Sequence, residues 1–326
     1  MMQPLTFLHH TDLPILLQAL NQGGERFRPL AGGSELIPLM KLGVVTLEAV
    51  LDISRVDSLR VVRTIPGSGL LIGSLVTLAE LADEPRLAGP FAAVAEAAAA
   101  AGPPQIRNVG TLGGNLLQRP RCPYFRGPAP CWLKGGETCP AREGENLIGG
   151  IFEDGPCVAT QGSDLATALF ALGAAVQTLS AWNERAWPIE MFLRPPMAEY
   201  RDETVLDARE LIASVQLPEP PAGLRSVYIK EQAQGSTFAL AAVALAGVVE
   251  GRRLRDARLA LGGVATVPRR VRAAEQILSA GEIDQARVEE ASAVALTDAR
   301  PLSQNGYKLP LLAATMRRAV DRLLSA

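Results

Sequence analysis

The sequence predicts an α+β protein of two folding units, and three observations predict it. At 326 residues the chain is longer than one hydrophobic core usually serves. Short apolar runs of strand character alternate with stretches of helical periodicity along its length. A proline-dense run, QLPEPPA at 216–222, separates a long first part from a tail in which three strands precede three helices. The expected units are 1–219 and 221–326.

Hydrophobic residues make up 48% of the chain and charged residues 20%, with a net charge of -2, which is the composition of a chain with a full core. That balance offers no footprint for a phosphate backbone, and 5% aromatic residues give base stacking little material, so nucleic acid is a poor partner. The longest apolar segment, 238–249, falls short of the roughly 20 residues a membrane helix needs. No export signal is read in the first thirty residues, so the expectation is a soluble, cytoplasmic chain. Both histidines, His9 and His10, lie near the start, which leaves imidazole little part in acid–base chemistry.

Thr11 or Asp12 caps a first surface helix, with Pro14 in its first turn and Ile15, Leu16, Ala19 and Leu20 at helical spacing. A short strand at 26–30 runs into two glycines and then a helix over 36–41. Residues 47–53 and 69–74 read as buried strands, punctuated by PGSG at 66–69. The alanine-rich run 91–101 is a helix stopped by Gly102, Pro103 and Pro104. Another helix spans 164–172 and ends at Gly173. In the tail, strands are expected at 226–230, 238–249 and 257–262, and helices at about 269–280, 284–296 and 309–324.

Two stretches pair glycines with small polar residues: Ala31, Gly32, Gly33, Ser34 and Glu35 leading into Leu36, and Thr111, Leu112, Gly113, Gly114 and Asn115. Glycine lets a backbone approach a ligand and aim successive N–H groups at an anion, and a diphosphate fits such a nest. Neither stretch has the spacing of a Walker loop or a Rossmann turn. A lone glycine pair is usually a tight turn.

Together, AGGSELIPLMK (31–41) and IRNVGTLGGNL (106–116) resemble the two flavin-binding signatures of the FAD-carrying medium subunits of the molybdenum hydroxylases, the xanthine dehydrogenase and carbon monoxide dehydrogenase family. The resemblance continues through PCVATQGSDLATALFALGA (156–174), YIK (228–230) and LALGGVATVP (259–268), and covers nearly the whole chain. It implies a two-lobed FAD-binding domain of the vanillyl-alcohol oxidase / p-cresol methylhydroxylase type, then a C-terminal domain of a three-stranded antiparallel sheet with helices. It also implies that Ala31, Gly32, Gly33, Ser34, Glu35, Leu36, Thr111, Gly113, Gly114 and Asn115 wrap the diphosphate and ribityl chain of FAD. Ser163 and Asp164 would contact the cofactor, Asp164 at its polar edge, and Lys230 would lie near the isoalloxazine, where a cation stabilises reduced flavin. Read without the resemblance, Ser163 and Asp164 are a helix N-cap and Lys230 is a solvated lysine. Gln232 and Gln234 stand where relatives often carry arginine.

All four cysteines, Cys122, Cys131, Cys139 and Cys157, fall in one segment rich in glycine and proline. Such clustering asks for a cross-link or a shared ligand. Two disulfides need an oxidising compartment, zinc sites usually use close CxxC pairs, and four thiolates are the complement of a four-iron four-sulfur cluster. CPYFR at 122–126, Cys139 and PCVA at 156–159 resemble one branch of the family, that of the 4-hydroxybenzoyl-CoA reductase β subunit and a bacterial aldehyde oxidoreductase flavin subunit, which carries an inserted cluster loop. The resemblance implies an insertion at about 119–157 with these four thiols as ligands. It implies an electron-transfer subunit with no catalytic residues of its own, joined to a large molybdenum-cofactor subunit and a small subunit with 2Fe-2S clusters. A zinc-binding scaffold and a stand-alone FAD oxidoreductase are the rival readings.

Overall fold

The computed structural model describes residues 4–233 and 238–325. Its strands form three sheets. The first is parallel, in the order β1 (Thr6–His9), β3 (Ala49–Asp52), β2 (Phe27–Leu30). The helix Leu13–Gly23 connects β1 to β2 and is capped by Asp12, whose carboxylate accepts from Ile15 N at 3.1 Å. Its Leu16 and Leu20 are buried in one cluster with Leu51 and Leu59.

A five-stranded antiparallel sheet runs β4 (Val62–Ile65), β5 (Gly69–Gly73), β8 (Leu211–Leu217), β6 (Ala175–Leu179), β7 (Glu184–Pro188). The PGSG turn joins β4 to β5 with Gly67 at φ 71° and Gly69 at φ 96°, backbone conformations that favour glycine. The alanine-rich run forms the helix Ala92–Ala100, and Asp164–Leu172 forms a helix that Gly173 ends in the left-handed conformation at φ 63°.

The tail sheet has four strands where three were expected: β9 (Leu224–Gln232), β10 (Ala239–Glu250), β11 (Arg253–Gly262) and a two-residue edge, β12 (Arg269–Arg270). Two residues after a proline carry no periodicity to read. The edge is held by ion pairs of Arg270 with Glu275 at 2.6 Å and Glu190 at 2.8 Å. For the same reason the following helix begins at Arg272.

The alternation along β10 places this sheet between two cores. Ala242, Ala244 and Ala246 face the first unit, where the Ala92–Ala100 and Asp164–Leu172 helices pack. Ala241, Val243 and Leu245 face the helices Arg272–Ser279, Gln285–Ala295 and Lys308–Ser325. The cysteine segment contains one short helix, Pro123–Arg126, and single turns at Trp132–Lys134 and Pro140–Arg142. No described helix is long and apolar enough to cross a membrane.

Lys308 is fully buried, and its ammonium donates to the carbonyls of Gly263 at 2.8 Å and Ile148 at 3.2 Å, tying the tail helix to the end of the cysteine segment. Burial lowers its pKa to about 7. The unfolded chain therefore holds one more proton than the folded chain between pH 7 and the free lysine value of about 10.4, so stability should rise with pH across that window. Compared with Lys308→Met, the wild-type chain should gain stability at up to about 1.4 kcal/mol per pH unit from pH 7 upward, read by urea unfolding. Parallel pH profiles would refute the lowered pKa of Lys308.

Candidate functional site

Strand β2 delivers the first glycine stretch, and Leu36 opens the helix Leu36–Lys41 that follows it. Gly33 is left-handed at φ 70°. A Cβ on Gly32 would sit 1.7 Å from the carbonyl oxygen of Val109, so only glycine fits there. Val109 lies just ahead of the second stretch, and the contact brings the two together. In that second stretch Thr111 caps the helix Leu112–Leu116, its Oγ1 accepting from Gly114 N at 3.2 Å, and Gly113 N donates to the carbonyl of Ser74 at 2.9 Å.

Between them lies a cavity of about 790 Å³. Ala31, Gly32, Gly33, Ser34, Glu35, Leu36, Thr111, Gly113 and Gly114 all line it, as do residues 202–208 and 210–212. The buried hydroxyl of Ser74 in this cavity has no hydrogen-bond partner among the described residues, so a donor or acceptor is available to an occupant. The volume is in the range of small-molecule and cofactor sites.

Asn115 stands behind this lining, where its Oδ1 accepts from the hydroxyl of Ser163 at 2.5 Å. Ser163 also caps its own helix, accepting from Ala166 N at 3.0 Å. Asp164 and Lys230 do not line the glycine cavity. Asp164 is buried, accepting from Lys230 Nζ at 2.8 Å and from the hydroxyl of Tyr228. Burial pushes the Asp164 carboxyl up and the Lys230 charge opposes it; burial raises the Tyr228 hydroxyl too. Lys230 is therefore not the solvated lysine its strand-end position suggests. It lines a separate groove of about 720 Å³ with Glu96 and Arg322. Gln232 ends β9, and Gln234 lies outside the described residues.

Glu35 lines the cavity, but its carboxylate is directed at the cysteine segment. It accepts from Arg126 at 2.6 Å and from Arg119 N at 3.0 Å, and Arg121 stands 2.7 Å away as a charge partner without hydrogen-bond alignment. A carboxylate so placed does not itself bind a diphosphate.

The four thiols gather in one apolar cluster with Leu39, Phe125, Trp132 and Leu133. They are free thiols, with Cys131 and Cys157 buried. Backbone N–H groups reach the sulfurs: those of Tyr124 and Phe125 at Cys122, Ala141 and Val158 at Cys139, and Ala159 at Cys157. The Cys157 thiol donates to Cys139, which lowers the pKa of Cys139 and raises that of Cys157, while burial raises Cys122. Among the described residues, no three or more His, Cys, Asp or Glu side chains form a site for a single metal ion. Trp132 packs under Arg201, whose guanidinium lies 4.8 Å from the ring centroid and donates to the Trp132 carbonyl at 2.5 Å. Sequence reading missed Ser74, Arg119, Arg201 and Glu203; none sits in a motif, and only their place in the fold marks them.

Fold and cavity define a chain with a backbone-lined cavity of cofactor size and a thiol-rich loop against it. The family described as the FAD binding domain in molybdopterin dehydrogenase matches residues 3–220, and that of the CO dehydrogenase flavoprotein C-terminal domain matches 227–323. The aldehyde oxidoreductase FAD-binding subunit PaoB of Escherichia coli (strain K12) is 34% identical over 313 residues, 94% of each chain. The carbon monoxide dehydrogenase medium chain of Afipia carboxidovorans is 25% identical over 327 residues, 98% of each chain. A solved carbon monoxide dehydrogenase chain from Hydrogenophaga pseudoflava has the same fold, with a TM-score of 0.79, 22% identity and coverage of 100% of this chain and 99% of that one. The chain belongs to the FAD-binding medium subunits of the molybdenum hydroxylase family and is an oxidoreductase subunit.

Two outcomes follow. Gly32→Ala should cost about 1–3 kcal/mol, because the backbone at Val109 must move, and should reduce bound flavin; a thermal midpoint and FAD content equal to wild type would refute the contact. Asp164→Ala leaves the Lys230 ammonium buried without its carboxylate and should cost about 3–5 kcal/mol in urea unfolding, part of which Lys230→Met should restore.

Proposed function

We propose that this chain is the FAD- and iron–sulfur-carrying electron-transfer subunit of a cytoplasmic molybdenum hydroxylase complex, with a large molybdenum-cofactor subunit and a small 2Fe-2S subunit as partners. Residues 1–219 form the FAD-binding domain of the vanillyl-alcohol oxidase type, with the cluster insertion at about 119–157, and 221–326 form the C-terminal domain.

One observation carries the reading: four thiols in a single cluster are tied to the lining of the glycine cavity through Glu35, Arg121 and Arg126. The paired glycines, the close approach at Gly32 and the unpartnered Ser74 hydroxyl suit FAD. Cys122, Cys131, Cys139 and Cys157, with backbone N–H groups directed at sulfur, suit a four-iron four-sulfur cluster, which spreads its ligands wider than one ion does. Bound FAD supplies both one- and two-electron exchange. The chain's own residues bind and orient: the glycine stretches let a ligand approach the backbone, Glu35 holds the arginines of the insertion, and the apolar cluster buries Cys131 and Cys157 while Cys122 and Cys139 stay partly exposed.

Protein purified under anaerobic conditions should show flavin bands with a broad brown shoulder, and about four iron and four acid-labile sulfide per chain. Cys131→Ser should lose iron, and large and small partners should co-purify with the wild-type chain. Zinc in place of iron would overturn the cluster, and a preparation that takes up no yellow chromophore would overturn the flavin reading.

A further inference from the structure

The cysteine segment touches two separate stretches of the lining of the proposed flavin cavity. On one side Glu35 accepts from Arg126 and Arg119 N and pairs with Arg121, while Leu39, from the helix after the first glycine stretch, packs into the thiol cluster. On the other side Arg119 Nε lies 2.8 Å from Glu203, and Arg201 donates to the carbonyls of Trp132 and Gly136 at 2.5 and 3.2 Å. Glu35, Arg119 and Glu203 all line the cavity.

The segment has no strand, and apart from Ile151 and Phe152, which join the tail core, most of its buried apolar residues gather around its thiols. Ordering such a loop costs on the order of 1 kcal/mol per residue in backbone entropy, and tying several of its points to one centre removes much of that cost. With the loop in place, Arg121 and Arg126 offset the Glu35 charge, which removes one repulsion from an anionic diphosphate in the cavity. Were the loop to open, a partly buried carboxylate would line the same cavity without those partners and would repel that anion.

We propose that the cysteine segment is the clasp of the flavin cavity, that metal on its thiols and FAD strengthen each other's retention, and that Glu35 is the positioning residue through which they do so. The inference rests on the reading above for the identity of the metal, but the Glu35–Arg126 contact tests it without any metal. By linkage the strengthening is reciprocal.

The experiment measures FAD dissociation by flavin fluorescence on the full chain, with iron and zinc analysis of every sample. Arg126→Gln should weaken FAD about tenfold or more by exposing the Glu35 charge, and Glu35→Gln in the same chain should restore most of that loss. Removal of iron from the wild type by an iron chelator should weaken FAD by a similar factor, whereas the Glu35→Gln chain should change less than about threefold on the same treatment. A merely structural role for Arg126 predicts no rescue. FAD affinity within about twofold of wild type in Arg126→Gln, or a loss that Glu35→Gln leaves in place, overturns the clasp. A wild-type chain that takes up no iron overturns the cluster instead, and the Arg126 pair of variants still decides the clasp.

Discussion

A carbonyl oxygen placed where a side chain would have to begin is the constraint on which the cavity depends. The position a Cβ would take on Gly32 is 1.7 Å from the oxygen of Val109, far inside contact distance. Because that residue is glycine, the turn after β2 lies directly on the backbone that leads into Thr111. The same approach places Gly110 so that its own Cβ would fall 3.7 Å from Ser34 Oγ, and Gly113 donates to Ser74 at the next step. Two loops distant in sequence become one concave surface, lined by backbone rather than bulky side chains. An occupant of that surface can approach the backbone at close range.

Charge is then arranged around that surface in a way that joins it to the thiols. Glu35 is the acidic residue of the first glycine stretch, and three arginines of the insertion meet it or its neighbour Glu203. Burial raises the pKa of Glu203, and the facing Arg119 guanidinium opposes that rise. The far end of the insertion is anchored separately. Asn146 exchanges hydrogen bonds with Gln304 at 3.0 Å each way, and Asn305 holds the Gly149 and Gly150 carbonyls. A loop with hardly any regular structure is thus fixed at the cavity, at the tail domain and at its own thiols.

What could be read in advance follows the range of the forces involved. The helices Leu36–Lys41, Ala92–Ala100 and Asp164–Leu172 were legible because caps, glycine stops and periodicity act within a few residues. The glycine pairs were legible because close backbone approach has a residue type of its own. The destination of the Glu35 carboxylate was not, since Arg126 lies 91 residues further on and an exposed-looking acid carries no mark of its partner. The Lys230–Asp164 pair was not legible for the same reason: the two residues lie 66 positions apart. The strand Arg269–Arg270 escaped because an edge of two residues leaves no pattern, only the ion pairs that hold it. Ser74 belongs to no motif; its importance lies in a hydroxyl that the fold leaves unpartnered in the cavity wall.

The seam between the two units shows how that buried pair serves the fold. On the face of β10 turned toward the first unit, alanines at 242, 244 and 246 let the alanine-rich helix and the Asp164–Leu172 helix come close, and Gly262 meets Thr167 where a Cβ would lie 2.3 Å from the hydroxyl. Alanine packs densely but has almost no shape, so a seam of alanine permits small slips at little cost. Asp164 enters it from the first unit, and Tyr228 and Lys230 enter it from the second. Shifting the units would part a buried carboxylate from its phenol and its ammonium at once, and a charge stranded there costs several kcal/mol. The polar triad therefore supplies the register that the apolar contact lacks, and it holds the tail sheet in one position behind the lobe that carries the glycine cavity.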